Sequence, residues 1–326
     1  MDEGAFGGAE GWLALEFLQH TGSFKARGAF NFISGHVEAG TVPDAGVVIA
    51  SGGNAGLACA WAAARHSVTA TVFVPETAPA VKVGRLRALG ADVRQAGREY
   101  AEALDASRAY AAESGALESH AYDHPLIAAG AGTVMEEMLR CRPDLDTVVV
   151  SVGGGGLFTG VAAYALEHGV RVVAVEPRGS RALNAALEAG EVVDVPVDSV
   201  AADSLGARRA APVALEWARE DGVRSVLVSD QAIVSARQAL WDDRRIAVEH
   251  AAATALAAVR SGRTRLGRAR RWRCCCAGPT PIRGTWRAGS REESDPPLSR
   301  MRKGAGAAGG PATPPRTPSA VPRCRT

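Results

Sequence analysis

Short apolar runs rich in β-branched residues alternate with longer alanine-rich stretches between about residues 12 and 261. The short runs predict strands at residues 12–16, 46–50, 70–74, 92–94, 147–152, 170–175 and 225–228. The longer stretches have helical spacing and predict helices at residues 55–65, 80–89, 101–114, 133–140, 158–168 and 233–244. This alternation predicts an α/β fold in which mostly parallel sheets are covered by helices on both faces.

The alternation stops after Arg263, and residues 263–326 form a tail with no strand or helix period. The tail begins arginine-rich and ends in a glycine- and proline-rich stretch, which is typical of an irregular or disordered segment. A second interpretation comes from reverse translation of residues 271–285. Codons can be chosen so that reading from the third base gives Val-Ala-Val-Leu-Leu-Cys-Gly-Ala-Asn, a buried strand followed by a glycine turn. We therefore hypothesise a reading-frame slip near Arg263, which the nucleotide sequence would test.

Composition narrows the class of protein. The chain has 326 residues, of which 47% are apolar, so it is long enough for two lobes with a sizeable core. No apolar stretch is long enough to cross a membrane, and the start lacks a secretory signal, so we expect a cytoplasmic protein. The net charge of +2 gives no reason to expect nucleic acid. Only Cys59 and Cys141 lie outside the tail, and the histidines do not cluster, so we expect neither a disulfide framework nor a metal site.

The whole chain has only three lysines, namely Lys25, Lys82 and Lys303. Lys25 lies in His20-Thr21-Gly22-Ser23-Phe24-Lys25, between a predicted strand and a predicted helix. A lysine at such a turn is close to the positive end of a helix dipole, and partial burial lowers its pKa further. An amine made neutral in this way is suited to Schiff-base chemistry. The alternative, a solvated surface lysine, is the usual outcome for an isolated lysine, and Lys82 is predicted to be one.

Two glycine-containing turns also connect a predicted strand to a predicted helix. In Ser51-Gly52-Gly53-Asn54-Ala55 the backbone N–H groups are suited to a carboxylate. In Gly153-Gly154-Gly155-Gly156-Leu157 a phosphate would rest on bare backbone amides at a helix N-terminus. The rival interpretation is a dinucleotide turn, with Glu176 as the ribose-binding acid. However, no register of the glycine run fits G-x-G-x-x-G, so a small phosphate fits better than a dinucleotide.

In their order and spacing these segments resemble the fold-type II pyridoxal-phosphate enzymes, the tryptophan synthase β-subunit group. The closest likeness is to the serine/threonine dehydratase branch. The motifs S-F-K-x-R-G-A at residues 23–29, S-x-G-N-A at 51–55 and V-G-G-G-G-L at 152–157 carry the resemblance, which extends from about residue 12 to 261. It implies two open αβα lobes with the cofactor in the cleft between them. A large cofactor-binding lobe would comprise residues 1–30 and 126–262, and a small substrate-binding lobe residues 31–125.

The resemblance also implies roles for individual residues. Lys25 would form a Schiff base with pyridoxal 5'-phosphate, and Phe24 would pack beside it. Asn54 would hold the ring oxygen of the cofactor. The remaining implied contacts are to the cofactor phosphate from Gly153, Gly154, Gly155, Gly156 and Leu157, and to the substrate carboxylate from Ser51, Gly52, Gly53, Asn54 and Ala55.

The implied activity is β-elimination of L-serine or L-threonine to a 2-oxo acid and ammonia, with a homodimer expected. Gly52 stands where serine racemases of the family have a second serine, which disfavours racemisation. The family's residue opposite the pyridine nitrogen follows the last core strand, a segment that matches here only in the other reading frame. We therefore expect this chain to bind cofactor poorly or to fold incompletely. The start also looks shorter than in family members. Alternatives are a β-replacement enzyme of the cysteine synthase type or threonine synthase, an inactive remnant, and a nicotinamide-dependent oxidoreductase.

Overall fold

The computed structural model of the chain describes residues 10–262 and 271–276. The described strands are β1 (Glu10–Leu15), β2 (Val47–Ala50), β3 (Ala70–Val74), β4 (Asp92–Gln95), β5 (Leu117–Glu118), β6 (Thr147–Ser151), β7 (Arg171–Pro177), β8 (Val223–Val228) and β9 (Arg271–Cys276). The described helices are α1 (Lys25–Glu38), α2 (Asn54–Arg65), α3 (Ala80–Ala88), α4 (Tyr100–Ser114), α5 (Pro125–Cys141), α6 (Gly156–Glu167), α7 (Ala182–Ala189), α8 (Ala202–Leu205), α9 (Pro212–Ala218), α10 (Asp230–Arg244) and α11 (His250–Arg260).

The strands form two sheets, and every described ladder is parallel. The larger sheet has five strands in the order β1-β9-β6-β7-β8, and the smaller has four in the order β4-β3-β2-β5. Parallel pairing needs crossover connections, which the helices supply. The α/β fold class predicted from the alternation of apolar runs and helical stretches is therefore confirmed.

The larger sheet is buried on both faces, which explains its continuous valine runs. Val148 and Val150 of β6 face a core that α5 and α6 complete, through residues such as Met135 and Phe158. Val149, between them, belongs to the core on the other face, which α10 and α11 complete. Successive side chains of a strand point to opposite faces, so β6 serves both cores.

The smaller sheet repeats this arrangement. Val47 and Ile49 of β2 pack with α1, α2 and α3. Val48 lies on the opposite face with Phe73 and with side chains of α4. Both sheets therefore present the carboxyl ends of their strands to loops that lead into helices, and such loops are where ligands bind in open α/β folds.

The tail expected to be irregular contains one regular element among its described residues. The backbone of Arg271–Cys276 forms β9, which pairs with both β1 and β6. Its position coincides with the strand that the alternative reading frame would encode. The rest of residues 263–326 lies outside the described residues, and the lobe boundaries stay a prediction. None of the helices described between residues 10 and 262 has the length and apolar character needed to cross a bilayer.

Candidate active site

The structure brings Lys25, Asn54 and the glycine loop that follows β6 to one cleft. Phe24, Tyr122 and Glu249 also line this cleft. Of the predicted carboxylate loop, Asn54 lines the cleft, whereas Ser51, Gly52, Gly53 and Ala55 do not. A larger cavity, with a volume of about 440 Å³, lies along α5 and α6. We place the site in the smaller cleft because it holds the buried amine and the glycine loop, and the larger cavity holds neither.

Lys25 is the first residue of α1 and is partly buried. Its Nζ donates a 2.6 Å hydrogen bond to the carbonyl oxygen of Ala121 and lies 5.0 Å from the centroid of the Phe24 ring. Burial lowers the pKa of this amine from 10.5 to about 8. Near neutral pH Lys25 therefore has far more of the neutral, nucleophilic form than an exposed lysine.

The carboxylate loop joins β2 to α2. Its Gly53 N–H donates to Ser51 Oγ at 3.3 Å, which is a long hydrogen bond. Gly56, one turn into α2, lies so close to the Ser51 carbonyl that a Cβ there would overlap it. No side chain caps α2, and the N–H groups of a helix's first turn have no partner within the helix. The loop and the helix thus offer an anion a set of backbone donors close to Asn54.

The glycine loop joins β6 to α6. Gly155, the N-cap residue of α6, has φ +105°, a conformation that favours glycine. A Cβ on Gly156 would lie 2.7 Å from the Tyr122 carbonyl oxygen, and one on Gly154 would collide with the Tyr122 ring. The bare backbone therefore lets Tyr122 pack against the loop, while the first residues of α6, whose N–H groups have no partner within the helix, line the cleft. The buried amine and this cradle fit pyridoxal phosphate.

Glu176 does not have the position of a ribose-binding acid. Its side chain is fully buried, and its two carboxylate oxygens accept 2.8 Å hydrogen bonds from the backbone N–H groups of Leu183 and Asn184. Glu176 thus binds the start of α7. Burial raises its pKa to about 8, although the two backbone donors oppose that rise. This use of Glu176 removes the main support for a dinucleotide site.

Tyr122, Ser204 and Glu249 line the cleft but were not assigned to the site from the sequence. Tyr122 lies in Tyr122-Asp123-His124-Pro125, a further segment of the sequence that resembles the pyridoxal-phosphate enzymes, and this resemblance is the signal that could have found it. The sequence allows two interpretations of Glu249, a residue that lines the pocket as its counterparts in the family do, and a carboxylate at a helix N-terminus. Glu249 has both positions in the structure, since it is the N-cap residue of α11 and also lines the cleft, although its side chain makes no capping hydrogen bond. Burial instead raises the pKa of the Glu249 carboxyl to about 7.

Comparison with known proteins identifies the family. The model of the family described as "Pyridoxal-phosphate dependent enzyme" matches residues 4–276, and the chain belongs to this family. The chain is 40% identical over 257 residues to "Serine dehydratase-like" of Rattus norvegicus, covering 77% of each. It is 36% identical over 251 residues to "L-threonine ammonia-lyase" of Geobacter sulfurreducens, covering 76% of this chain and 62% of the relative. The solved structure of maize serine racemase matches with a TM-score of 0.79 at 28% identity, covering 87% of each chain. The predicted resemblance is thereby confirmed.

Proposed function

We propose that this protein is a pyridoxal-phosphate-dependent ammonia-lyase that converts L-serine or L-threonine to a 2-oxo acid and ammonia. The observation that carries the proposal is the Lys25 amine, which is held in the cleft with Asn54 and the glycine loop. Relatives named as serine dehydratase-like and threonine ammonia-lyase support the choice of reaction.

Each cofactor contact has a residue of matching chemistry. Lys25 would bind the cofactor covalently, with Phe24 packed beside the lysine. Asn54 would hold the ring oxygen, and the backbone of residues 153–157 would hold the phosphate at the start of α6. The bound cofactor supplies an electron-withdrawing ring that delocalises the charge left when a Cα proton is removed.

The substrate carboxylate would bind the backbone donors of Ser51, Gly52, Gly53, Asn54 and Ala55. The neutral Lys25 amine, released when the substrate amine takes its place, would then remove the Cα proton. The Cβ–O bond would break next, and Lys25 would return its proton to the departing hydroxyl, which leaves as water. The released enamine hydrolyses to ammonia and pyruvate from serine, or to 2-oxobutyrate from threonine.

Gly52 supports elimination over racemisation. A glycine has no side chain to exchange a proton on the face of Cα opposite to Lys25. A Cβ at this position would lie 3.3 Å from Cγ1 of Val74, so even a small side chain here would crowd the neighbouring strand. Racemisation needs a second acid–base group, so we expect it to be slow.

Ammonia and 2-oxo acid release from L-serine and L-threonine tests the proposal, with purified protein and added pyridoxal phosphate. We expect activity together with a long-wavelength absorbance band of lysine-bound cofactor. Both are expected to disappear in Lys25→Arg and to persist in Lys82→Arg, a matched control at an exposed lysine of α3. Equal behaviour of the two variants would reject the assignment of Lys25.

The same preparation separates the alternatives. Consumption of a sulfide nucleophile with an activated serine would indicate a β-replacement enzyme. Cofactor binding without turnover of any substrate, or failure to bind cofactor, would indicate an inactive remnant, as the reading-frame hypothesis expects. A nicotinamide-dependent activity that survives in Lys25→Arg would indicate an oxidoreductase.

We also propose that the protein acts in the cytoplasm as a homodimer on a small amino-acid substrate. The support is the family resemblance. Light scattering coupled to size-exclusion chromatography would measure the mass in solution, and a monomer mass at micromolar concentration would reject the dimer.

A further inference from the structure

The Glu249 carboxyl is an ionisable group in the cleft that the proposed reaction leaves without a role. Although Glu249 is the N-cap residue of α11, its side chain does not cap that helix and lines the cleft instead. Its Oε2 atom is buried and, among the described residues, has no hydrogen-bond partner. An ionised carboxylate with an unpaired oxygen in such a place is costly, whereas a protonated one is not.

The groups around Glu249 come from four separate elements. The Asn54 side chain of α2 and the Ser204 side chain of α8 lie near enough to favour the ionised form of its carboxyl. Asp203 of α8 disfavours ionisation, and Lys82 of α3 favours it. The Lys25 amine of α1 also lines this cleft. Burial is the largest influence and raises the pKa of Glu249 to about 7, so both protonation states are populated near neutral pH.

The Asn54 carboxamide responds to the protonation of Glu249 because its two ends differ. A protonated carboxyl donates to the amide oxygen Oδ1, and the Nδ2 hydrogens are then free for another acceptor. An ionised carboxylate accepts from Nδ2, which leaves Oδ1 and no more than one Nδ2 hydrogen for the cleft. The ring oxygen of pyridoxal phosphate is an acceptor, so it is stabilised by Nδ2 and repelled by Oδ1.

We propose that Glu249 is a positioning residue that, in its protonated form, turns the Asn54 carboxamide so that Nδ2 donates to the ring oxygen of the bound cofactor. The inference rests on the proposed function, because it takes Asn54 as a cofactor contact. Ionisation of Glu249 then weakens cofactor binding, without contact between Glu249 and the cofactor.

The test measures cofactor affinity and not turnover. In a Lys25→Ala background the cofactor binds without a covalent bond, and the titration of the lysine is removed. Pyridoxal phosphate binding is followed by fluorescence from pH 5.5 to 8.5 in this background, with and without Glu249→Gln. Glutamine has the shape of the protonated carboxyl and does not ionise. Because both proteins are compared at the same pH, titration of the free cofactor cancels.

Below about pH 6 we expect the protein that keeps Glu249 and the Glu249→Gln variant to bind the cofactor equally well. Above about pH 8 we expect the protein that keeps Glu249 to bind it about tenfold more weakly, as for a lost hydrogen bond. The difference is expected to disappear when Asn54→Ala is added, because Glu249 acts through Asn54. If the glutamine protein fails to fold, as judged by circular dichroism, the pH dependence of the Glu249 protein with and without Asn54→Ala gives the same comparison.

Three outcomes would overturn the inference. They are a constant affinity ratio across the pH range, tighter binding by the Glu249 protein at high pH, and a difference that persists in Asn54→Ala. A failure of the protein with Lys25 intact to bind cofactor at all would overturn the proposed function, and this inference with it.

Discussion

The Arg27 guanidinium and the Glu16 carboxylate form a two-pronged ion pair, with Nε–Oε2 at 2.8 Å and Nη2–Oε1 at 2.9 Å. The same guanidinium pairs with Glu137 and donates to Thr133 Oγ1 at 3.0 Å. Arg27 therefore ties the first turn of α1, where Lys25 lies, both to the end of β1 and to α5. The Arg27 and Glu16 side chains are only 8% and 7% exposed, so solvent screens the pair weakly.

Arg27→Met is expected to lower the free energy of unfolding by about 3–5 kcal/mol, because it leaves the Glu16 carboxylate buried without its partner. Arg140→Met is the matched control, since Arg140 pairs with Glu136 where both side chains are exposed (69% and 45%). Its expected loss is under about 1 kcal/mol. Urea unfolding at a fixed pH measures both losses. Equal losses of stability in the two variants would show that the ion pairs of Arg27 do not anchor α1.

The glycine loop gives a second prediction. Gly156→Ala should improve helix propensity at the start of α6, yet we expect it to weaken pyridoxal phosphate binding at least tenfold. The added Cβ would lie 2.7 Å from the Tyr122 carbonyl oxygen, so the backbone that covers the loop has to move. Fluorescence titration with the cofactor measures this effect.

The control for Gly156→Ala is Gly84→Ala, at a glycine within α3 that has no atom within 4 Å of the added Cβ. It is expected to keep its cofactor affinity and to gain up to about 1 kcal/mol of stability, since alanine favours a helix. A cofactor affinity of Gly156→Ala within twofold of the unchanged protein would count against close packing of Tyr122 on the loop.

Much of the fold could be predicted because its elements are locally encoded. The strand β3 has the predicted bounds, since its apolar run ends at Pro75 and begins after a polar turn. The helix α5 begins at Pro125, eight residues before the predicted window at residue 133. The glycines near its start make this part of the sequence resemble a loop. Gly132 is needed for helix packing instead, because a Cβ there would lie 2.7 Å from the Gly160 carbonyl oxygen of α6. Such a requirement depends on a distant partner that local periodicity does not reveal.

The candidate site, like the fold, contains some residues that could be predicted from the sequence and others that could not. Lys25, Asn54 and the glycine loop were found because each lies in a turn that follows a strand, and such turns have recognisable sequences. Glu249 and Ser204 reach the cleft only through the packing of α11 and α8. Local pattern does not distinguish either residue from a helix cap or a surface hydroxyl, and for Glu249 the family resemblance left a pocket-lining position and a helix N-terminal one open. Their positions therefore needed the three-dimensional structure.

The pH dependence of covalent cofactor attachment is a third prediction. The neutral amine is the nucleophile, and burial lowers the pKa of Lys25 to about 8, so the attachment rate should rise with pH and level off above about pH 8. Borohydride trapping at timed intervals, followed by mass spectrometry, measures the rate and identifies the residue. Rates are divided by those of a simple alkylamine with the same cofactor, which corrects for titration of the cofactor. The ratio is expected to be constant well below about pH 8 and to fall above it, because Lys25 is then already neutral while the alkylamine still loses its proton. A ratio that stayed constant above about pH 8, as for an exposed lysine, would contradict the burial of this amine.

The last prediction concerns the buried carboxyl of Glu176. Its pKa in the folded chain is raised to about 8, above its ordinary value of 4.5, because burial outweighs the N–H donors of Leu183 and Asn184. The folded state then binds more protons than the unfolded state between these values. The contribution of Glu176 to stability is therefore complete below about pH 4.5 and is lost as the pH rises to about 8.

Glu176→Gln resembles the protonated carboxyl and removes this titration. We expect the unchanged protein to lose stability relative to Glu176→Gln as the pH rises from about 5 to 8, as measured by urea unfolding of both proteins at each pH. Taking the difference between them cancels all other ionisable groups that the substitution leaves unaffected. If the two backbone donors outweighed burial, the pKa would be lowered and the trend would reverse, with the unchanged protein gaining relative stability as the pH rises.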